Sequence, residues 1–274
     1  MQRRLIPLLC GLAVSSSAFA QSFSLPIWKE KAEALGYDLP KPIGFNLSYM
    51  SLEQGIQVDS ITLDKPLANL GKNIKTSGGT QSSEVVTLRA DMWLFPFLNV
   101  YALAGKMTGK SKVDVKVDKA YKFRPAIGPF PFELDLDGYL YGGGIVLAGG
   151  YENWFGLVDV SYTQTQLTVI DGNIDAWVIS PRVGYDFHKL GVPLRIWGGA
   201  MYQDVEQSLS GNLADIGVPK WLAGDGKFHI EQRLTTDWNP IMGAQYQINP
   251  NLNLLAEFGF GDRQSAFVSI DFRY

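Results

Sequence analysis

The chain has 274 residues, a formal charge of −3, 46% hydrophobic and 12% aromatic residues, and 29 glycines. That mildly acidic balance excludes a basic nucleic-acid-binding domain. Its one cysteine, Cys10, lies in an N-terminal leader, so no disulfide, thiol catalysis or thiolate metal site is expected beyond it.

The leader reads as a secretory signal peptide over residues 1–20. Arg3 and Arg4 supply the positive start, Leu5 to Val14 the apolar stretch, and Ala18-Phe19-Ala20 a small-x-small cleavage signal before Gln21. The apolar run is about half of the ~20 residues that a membrane helix needs. Leu9 is too large for lipoprotein processing at Cys10. Removing Arg3 and Arg4 leaves a charge of −5 on the mature chain. Residues 21–42 form an N-terminal periplasmic segment whose helix-like stretch, Leu25 to Leu39, is ended by Gly36, Pro40 and Pro42. A short periplasmic cap or a plug in a lumen would both suit it.

From residue 43 onward, segments of alternating polarity recur, and a period of two means strands. Ten are expected: Ile43 to Ser51, Val85 to Leu94, Asn99 to Lys110, Leu136 to Gly149, Phe155 to Thr168, Ala176 to Phe187, Leu194 to Glu206, Thr235 to Gln247, Leu252 to Gly261, and Ser265 to Tyr274. Eight or twelve remain compatible. Connections at 95–98, 150–154, 188–193 and 248–251 are short, whereas those at 52–83, 110–134 and 207–234 are long. Two features strain this assignment. The spacing Pro181-x-x-Gly184-x-x-Phe187 recurs as Pro240-x-x-Gly243-x-x-Tyr246, and a strand proline predicts a bulge or break at each site. In the fourth strand both faces carry apolar residues, so Gly142-Gly143-Gly144 is expected to bulge and switch the phase.

The two faces of these strands differ. Arg89, Asp91, Asp159, Arg182, Asp186, Arg195, Glu257, Asp271 and Arg273 all lie opposite the apolar face. Aromatics gather near the short turns: Trp93, Phe95, Phe97 and Tyr101, then Tyr151, Trp154 and Phe155, then Tyr185 and Phe187, then Tyr246, and finally Tyr274. The last strand carries Ala266, Val268, Ile270, Phe272 and Tyr274 on one face and ends on the aromatic. A terminal strand of this kind behind a secretory leader resembles the Gram-negative outer-membrane β-barrel proteins, over about residues 43–274. The resemblance implies an all-β, closed antiparallel transmembrane β-barrel in the cell outer membrane. Its apolar face would meet lipid, and the charges named above would line the lumen. It also implies contact with outer-membrane lipid and lipopolysaccharide, and recognition of the strand ending at Tyr274 by the barrel-assembly machinery. In a soluble sandwich the same charged face would instead meet water.

Lys110, Lys112, Lys116, Lys119, Lys122 and Arg124 form a basic extracellular hairpin, read as a continuation of the third and fourth strands with cross-strand pairing to Glu133, Asp135 and Asp137. It would bind lipopolysaccharide phosphates or an anionic solute, or serve simply as a solvated hairpin. An enzyme is not expected: of two histidines, His188 falls in a short turn and His229 has Asp225 and Glu231 nearby but no serine close in sequence. No metal or other cofactor is implied. Two functions remain: a narrow or gated channel for small solutes, and a structural or surface-interaction barrel binding lipopolysaccharide or a partner through its loops.

Overall fold

The computed structural model describes residues 25–64, 74–76, 78–117, 127–212 and 225–274. The expected signal peptide lies outside the described residues. One short helix, α1 (Lys29–Ala34), precedes thirteen strands: β1 (Ile43–Leu63), β2 (Ile74–Thr76), β3 (Gly79–Phe95), β4 (Leu98–Val117), β5 (Ile127–Asp135), β6 (Gly138–Tyr151), β7 (Trp154–Leu167), β8 (Asp171–Asp186), β9 (Leu194–Asn212), β10 (Lys227–Leu234), β11 (Trp238–Asn249), β12 (Leu252–Gly259) and β13 (Arg263–Arg273).

Antiparallel ladders link ten of these into a ring, in the order β1, β3, β4, β6, β7, β8, β9, β11, β12, β13 and back to β1. The closing ladder pairs Gly44 with Arg273 and runs without a shift to Gln54 opposite Arg263. Chain composition explains why these segments pair. Alternation in β3 puts Val86, Leu88, Ala90 and Met92 outward and Thr87, Arg89 and Asp91 inward, and a ring satisfies both edges of every strand. The Asn249 carboxamide accepts the backbone N–H groups of Asn251 and Leu252, folding the β11–β12 turn as an Asx motif.

The outer face is apolar in a band with an aromatic at each border. Trp154 and Tyr162 stand on β7, Trp177 and Tyr185 on β8, and Trp238 and Tyr246 on β11, each pair separated by the same eight positions. Between them only Gly156, Val158, Val160, Ile179, Pro181, Val183, Pro240, Met242 and Ala244 face out. Rings associate along the border remote from the short turns: Tyr162 with Trp177 at 5.2 Å and Tyr202 with Trp238 at 5.3 Å between centroids. Trp154 packs edge-on to Tyr185 at the other border. Eight residues of strand cover ~26 Å, and a tilt of ~40° reduces this to ~20 Å across a membrane. No helix among the described residues is long and apolar enough to cross a membrane.

Several expectations change. The segments assigned to long connections extend the sheet: β1 reaches Leu63, β9 reaches Asn212, and β10 forms within the 207–234 stretch. Gln- and Ser-containing sequence kept the alternation of these parts from standing out. Neither proline makes a bulge. The β8–β9 register is the same on either side of Ser180 and Pro181, and Pro240 pairs with Ala200 within an unshifted ladder; the missing donor costs a bond on one side only. The Pro-x-x-Gly repeat has a different meaning: Gly184 and Gly243 lie where a Cβ would collide with the rings of Phe155 and Trp197, so each glycine seats an aromatic of the adjacent strand. Nor does β6 bulge, since its ladders to β4 and β7 are continuous. Tyr141, Ile145 and Leu147 face out, while Leu140 and Val146 are buried inside. Both faces are apolar because the inner one also packs.

Helix α1 is shorter than the predicted stretch. It lies at the turn end of the ring, where Trp28 packs against Phe95 and Phe97 and the Ile27 N–H bonds to the Leu94 carbonyl. Ala32 is its buried residue.

Candidate functional site

The site is the interior of the ring, which is stratified from one end to the other. At the turn end Asp186 accepts from Arg195 Nε at 2.6 Å and pairs with His188 Nδ1, while His188 Nε2 meets Gln247 Oε1 at 2.8 Å. Asp91, 6% exposed, accepts from Arg273 Nη2 and from Asn99 Nδ2, each at 2.6 Å, and Arg273 also reaches Asp271 at 3.3 Å. β1 runs between Arg273 and Asp91. The pair crosses it because Gly44 has no side chain: a Cβ there would fall 2.6 Å from Asp91 and 2.8 Å from Arg273.

Above this level the bore is spanned. Arg182 grips Glu257 with two bonds of 2.7 and 2.8 Å, and Trp197 Nε1 donates to the same carboxylate at 2.6 Å. Strands β8 and β12 are separated in the ring by β9 and β11, so this is a cross-bore bridge. Arg89 lies over the ring of Tyr101 at 3.6 Å, its Nη1 is 3.8 Å from Asp159, and the Tyr101 hydroxyl donates to Asp159 at 2.6 Å. All nine charged residues singled out from the sequence, Arg89, Asp91, Asp159, Arg182, Asp186, Arg195, Glu257, Asp271 and Arg273, therefore take part in inward contacts. Asp91 and Arg195 do not pair with each other: Asp91 is bound by Arg273 and Arg195 by Asp186. Of the aromatics that gather near the short turns, Trp93, Tyr101 and Phe155 point inward and not toward lipid.

Next comes a carboxamide layer. Gln207 donates to Gln81 Oε1 at 2.8 Å and Gln232 donates to Gln207 Oε1 at 2.6 Å, all three buried. Arg263 of β13, 2% exposed, donates from Nε to Gln54 Oε1 at 3.2 Å and from Nη2 to the Thr236 carbonyl at 2.9 Å.

The extension end is closed by an apolar plug. The ring loses two strands there: β12 and β13 end, and β10 bridges β9 directly to β1, with Arg233 opposite Glu206 and Leu234 opposite Ile56. Across from this wall stands the β4–β5 hairpin. Val113, Phe132 and Leu134 of the hairpin pack on Val58, Ile61, Phe228 and Ile230 of the wall, with the Phe132 and Phe228 rings edge-to-face at 6.4 Å. The two bodies differ in what holds them. The wall is laddered strand by strand through β1, β10, β9 and β8. Beyond Lys112, where β3 ends, the described pairings of the hairpin are β4 with β5 and β4 with β2, and none joins it to the wall. Among the described residues, that seam is closed by side chains.

On the hairpin's outer surface Lys112 pairs with Glu133 at 2.9 Å and Lys110 with Asp135 at 3.8 Å. Lys112 holds the Glu133 carboxyl below the usual carboxylate range. The side chain of Lys116 and the whole of Lys119, Lys122 and Arg124 lie outside the described residues. His229 does have a serine partner, Ser210 of the facing strand, at 2.7 Å from Nδ1, with Glu231 3.6 Å from Nε2. Cross-strand pairing brings the three together, which sequence proximity could not reveal. They lie on the solvent face of a strand paired on both sides, so the ladders engage the backbone donors that acyl transfer would require as an oxyanion hole. Among the described residues no group of three or more histidines and acidic side chains is placed to hold a metal ion.

The hydrogen-bonded ring, the lipid-type outer band and its two aromatic borders define a β-barrel of the outer-membrane type. Among solved structures the chain is similar to the outer membrane protein OprG of Pseudomonas aeruginosa, at 13% identity, covering 86% of this chain and 100% of that one, with a TM-score of 0.46. It is also similar to the Pseudomonas putida toluene transporter TodX, at 9% identity over 85% of this chain and 88% of that one, TM-score 0.32. The β domain of the Bordetella autotransporter BrkA matches at 11% identity over 86% and 100%, TM-score 0.35. No family model and no curated protein sequence matches the chain.

Proposed function

We propose that the chain is a gated channel of the Gram-negative outer membrane for small solutes, seen here closed. The observation that carries this is the seam at the extension end. A barrel plugged for good needs no weak line, yet here one hairpin meets the wall through Val113, Phe132 and Leu134 without a ladder bond among the described residues. Swinging it outward would part the described apolar contacts while leaving the ring's described ladders intact. Residues 43–274 form the barrel in this reading, and the 21–42 segment caps its periplasmic mouth. The strand ending near Tyr274 is the part offered to the barrel-assembly machinery.

Below the seam, the paired charges act as a filter. Arg182–Glu257 and Arg89–Asp159 occupy the middle of the bore, so a solute passes only as these pairs rearrange. A narrow ten-stranded barrel is near the size at which side chains fill the interior, so conductance should be small. Recording from purified protein in planar bilayers tests the reading: brief, discrete openings support it. A persistently silent membrane favours a structural or surface-interaction barrel, the reading to which the cross-bore bridges also lend weight. Lipopolysaccharide binding through the basic hairpin is less favoured, because Lys110 and Lys112 are already engaged by Asp135 and Glu133.

A further inference from the structure

We infer that Arg263 is the receptor for the carboxylate of an amphipathic solute, a small monocarboxylate with an apolar body, immediately beneath the gate. The inference rests on the channel reading above and adds to it a substrate class.

The side chain is unlike the other inward arginines. Arg89, Arg182, Arg195 and Arg273 each lie within 4 Å of a carboxylate. Arg263 makes no such pair among the described residues; its two bonds go to the neutral oxygens of Gln54 and Thr236. The exposed Asp237 acts on it only at longer range. Its Nη1 is buried and has no hydrogen-bond partner among the described residues. A guanidinium removed from water without a counter-charge is costly to keep, and an unused N–H donor adds to that cost. Such a group is best explained by an anion that arrives from outside.

Its location names the rest of the ligand. Gln54 faces Arg263 across the β1–β13 ladder. The next inward residue of β1 is Ile56, wholly buried and opposite Leu234. The guanidinium therefore lies at the floor of the apolar plug, with aliphatic side chains one layer above it. A solute that entered as the hairpin parted would meet both at once: its carboxylate on the planar Nη1 donors, its hydrocarbon part among Ile56 and Leu234. A polar sugar would leave the plug unfilled, and a neutral hydrocarbon would leave Arg263 unpaired.

The test uses full-length protein reconstituted in liposomes, with sodium benzoate and benzyl alcohol as probes that share a ring but differ in charge. Swelling rates in excess of those of protein-free liposomes give entry through the protein, and quenching of tryptophan fluorescence gives benzoate binding. Wild type should admit both probes and bind benzoate. Arg263→Gln should weaken benzoate binding and entry roughly tenfold and leave benzyl alcohol unchanged, whereas Arg263→Lys should retain part of the benzoate preference. Heat-modifiability on gels confirms that each variant is folded; if R263Q does not fold, R263K against wild type carries the comparison. Equal benzoate binding and entry in wild type and both variants overturns the inference and leaves the channel standing. If neither probe enters wild type, the channel reading fails, and binding decides the site: quenching lost in R263Q upholds a carboxylate receptor, and no quenching in wild type ends it.

Discussion

Leu134→Ala is the most direct probe of the seam. Leu134 is 6% exposed, sits on the hairpin side and packs into the plug formed with Phe228 and Ile230. Burying a leucine and then truncating it loses the transfer energy of its methyl groups and leaves a cavity, together about 2–5 kcal/mol. Beyond Lys112 the hairpin has no described ladder to the wall and can settle into part of that space, so the lower half of the range applies, about 2–3 kcal/mol. Since the side chain is in contact only when the hairpin is shut, the loss falls on the closed state. At 1.4 kcal/mol per factor of ten, the closed-to-open ratio should fall on the order of 30- to 150-fold. Open probability in planar bilayers reads this directly, with urea unfolding from lipid vesicles as the control for the ring. Should L134A lower unfolding resistance while open probability stays at the wild-type value, the seam is a packed cap and not a gate.

Three further outcomes follow from the interior and a fourth from the hairpin's outer surface. Glu257→Leu leaves Arg182 and Trp197 Nε1 without their acceptor and should cost about 3–5 kcal/mol; the double variant R182M/E257M should recover much of that in vesicle unfolding, and equal losses would mean the bridge is not the cause. Arg182→Ala and Asp91→Ala should each alter unit conductance, and unchanged traces would argue that these side chains do not line the conducting path. Gly44→Val drives a side chain into the Asp91–Arg273 pair and should destabilise by about 1–3 kcal/mol, visible as a lower midpoint in heat-modifiability; an unshifted midpoint contradicts the crossing described for β1. Because Glu133 titrates lower when folded than when unfolded, its pairing stabilises above the usual carboxylate range and is lost as pH falls through the depressed value. Hydrogen exchange of β5 should thus quicken with acid relative to a Lys112→Met variant, which should show no such step.

The membrane-level strands were legible because alternation there is unambiguous: Val86, Leu88 and Ala90 against Thr87, Arg89 and Asp91 admit one orientation. The extensions were not. Gln57, Ser60 and Thr62 in β1, and Ser208 and Ser210 in β9, are polar on a face that meets water above the band, and Gln207 is polar on the inner one, so polarity no longer separates strand from loop. The charged lining could be seen as a face but not as a set of pairs, since partners such as Arg182 and Glu257 are brought together by the curvature of the sheet. Arg263 escaped notice for a related reason. It lies at the start of the last strand, beside a short turn, and only its burial distinguishes it from a surface arginine. A signal was present in β1, where Gln54 is followed at the next inward position by Ile56, which marks a change of layer.

The repeated interval between border aromatics on β7, β8 and β11 also has a bearing on where the protein can reside. A belt of ~20 Å is shorter than the ~30 Å hydrocarbon interior of an average bilayer, and matches the thinner envelope membrane better. In thick, long-chain lipid the bilayer would have to pinch inward around the protein or push tryptophans out of the headgroup zone. Short-acyl vesicles should accordingly accept the unfolded chain fastest, and the same dimension would help retain the protein in one compartment of the cell envelope rather than the other.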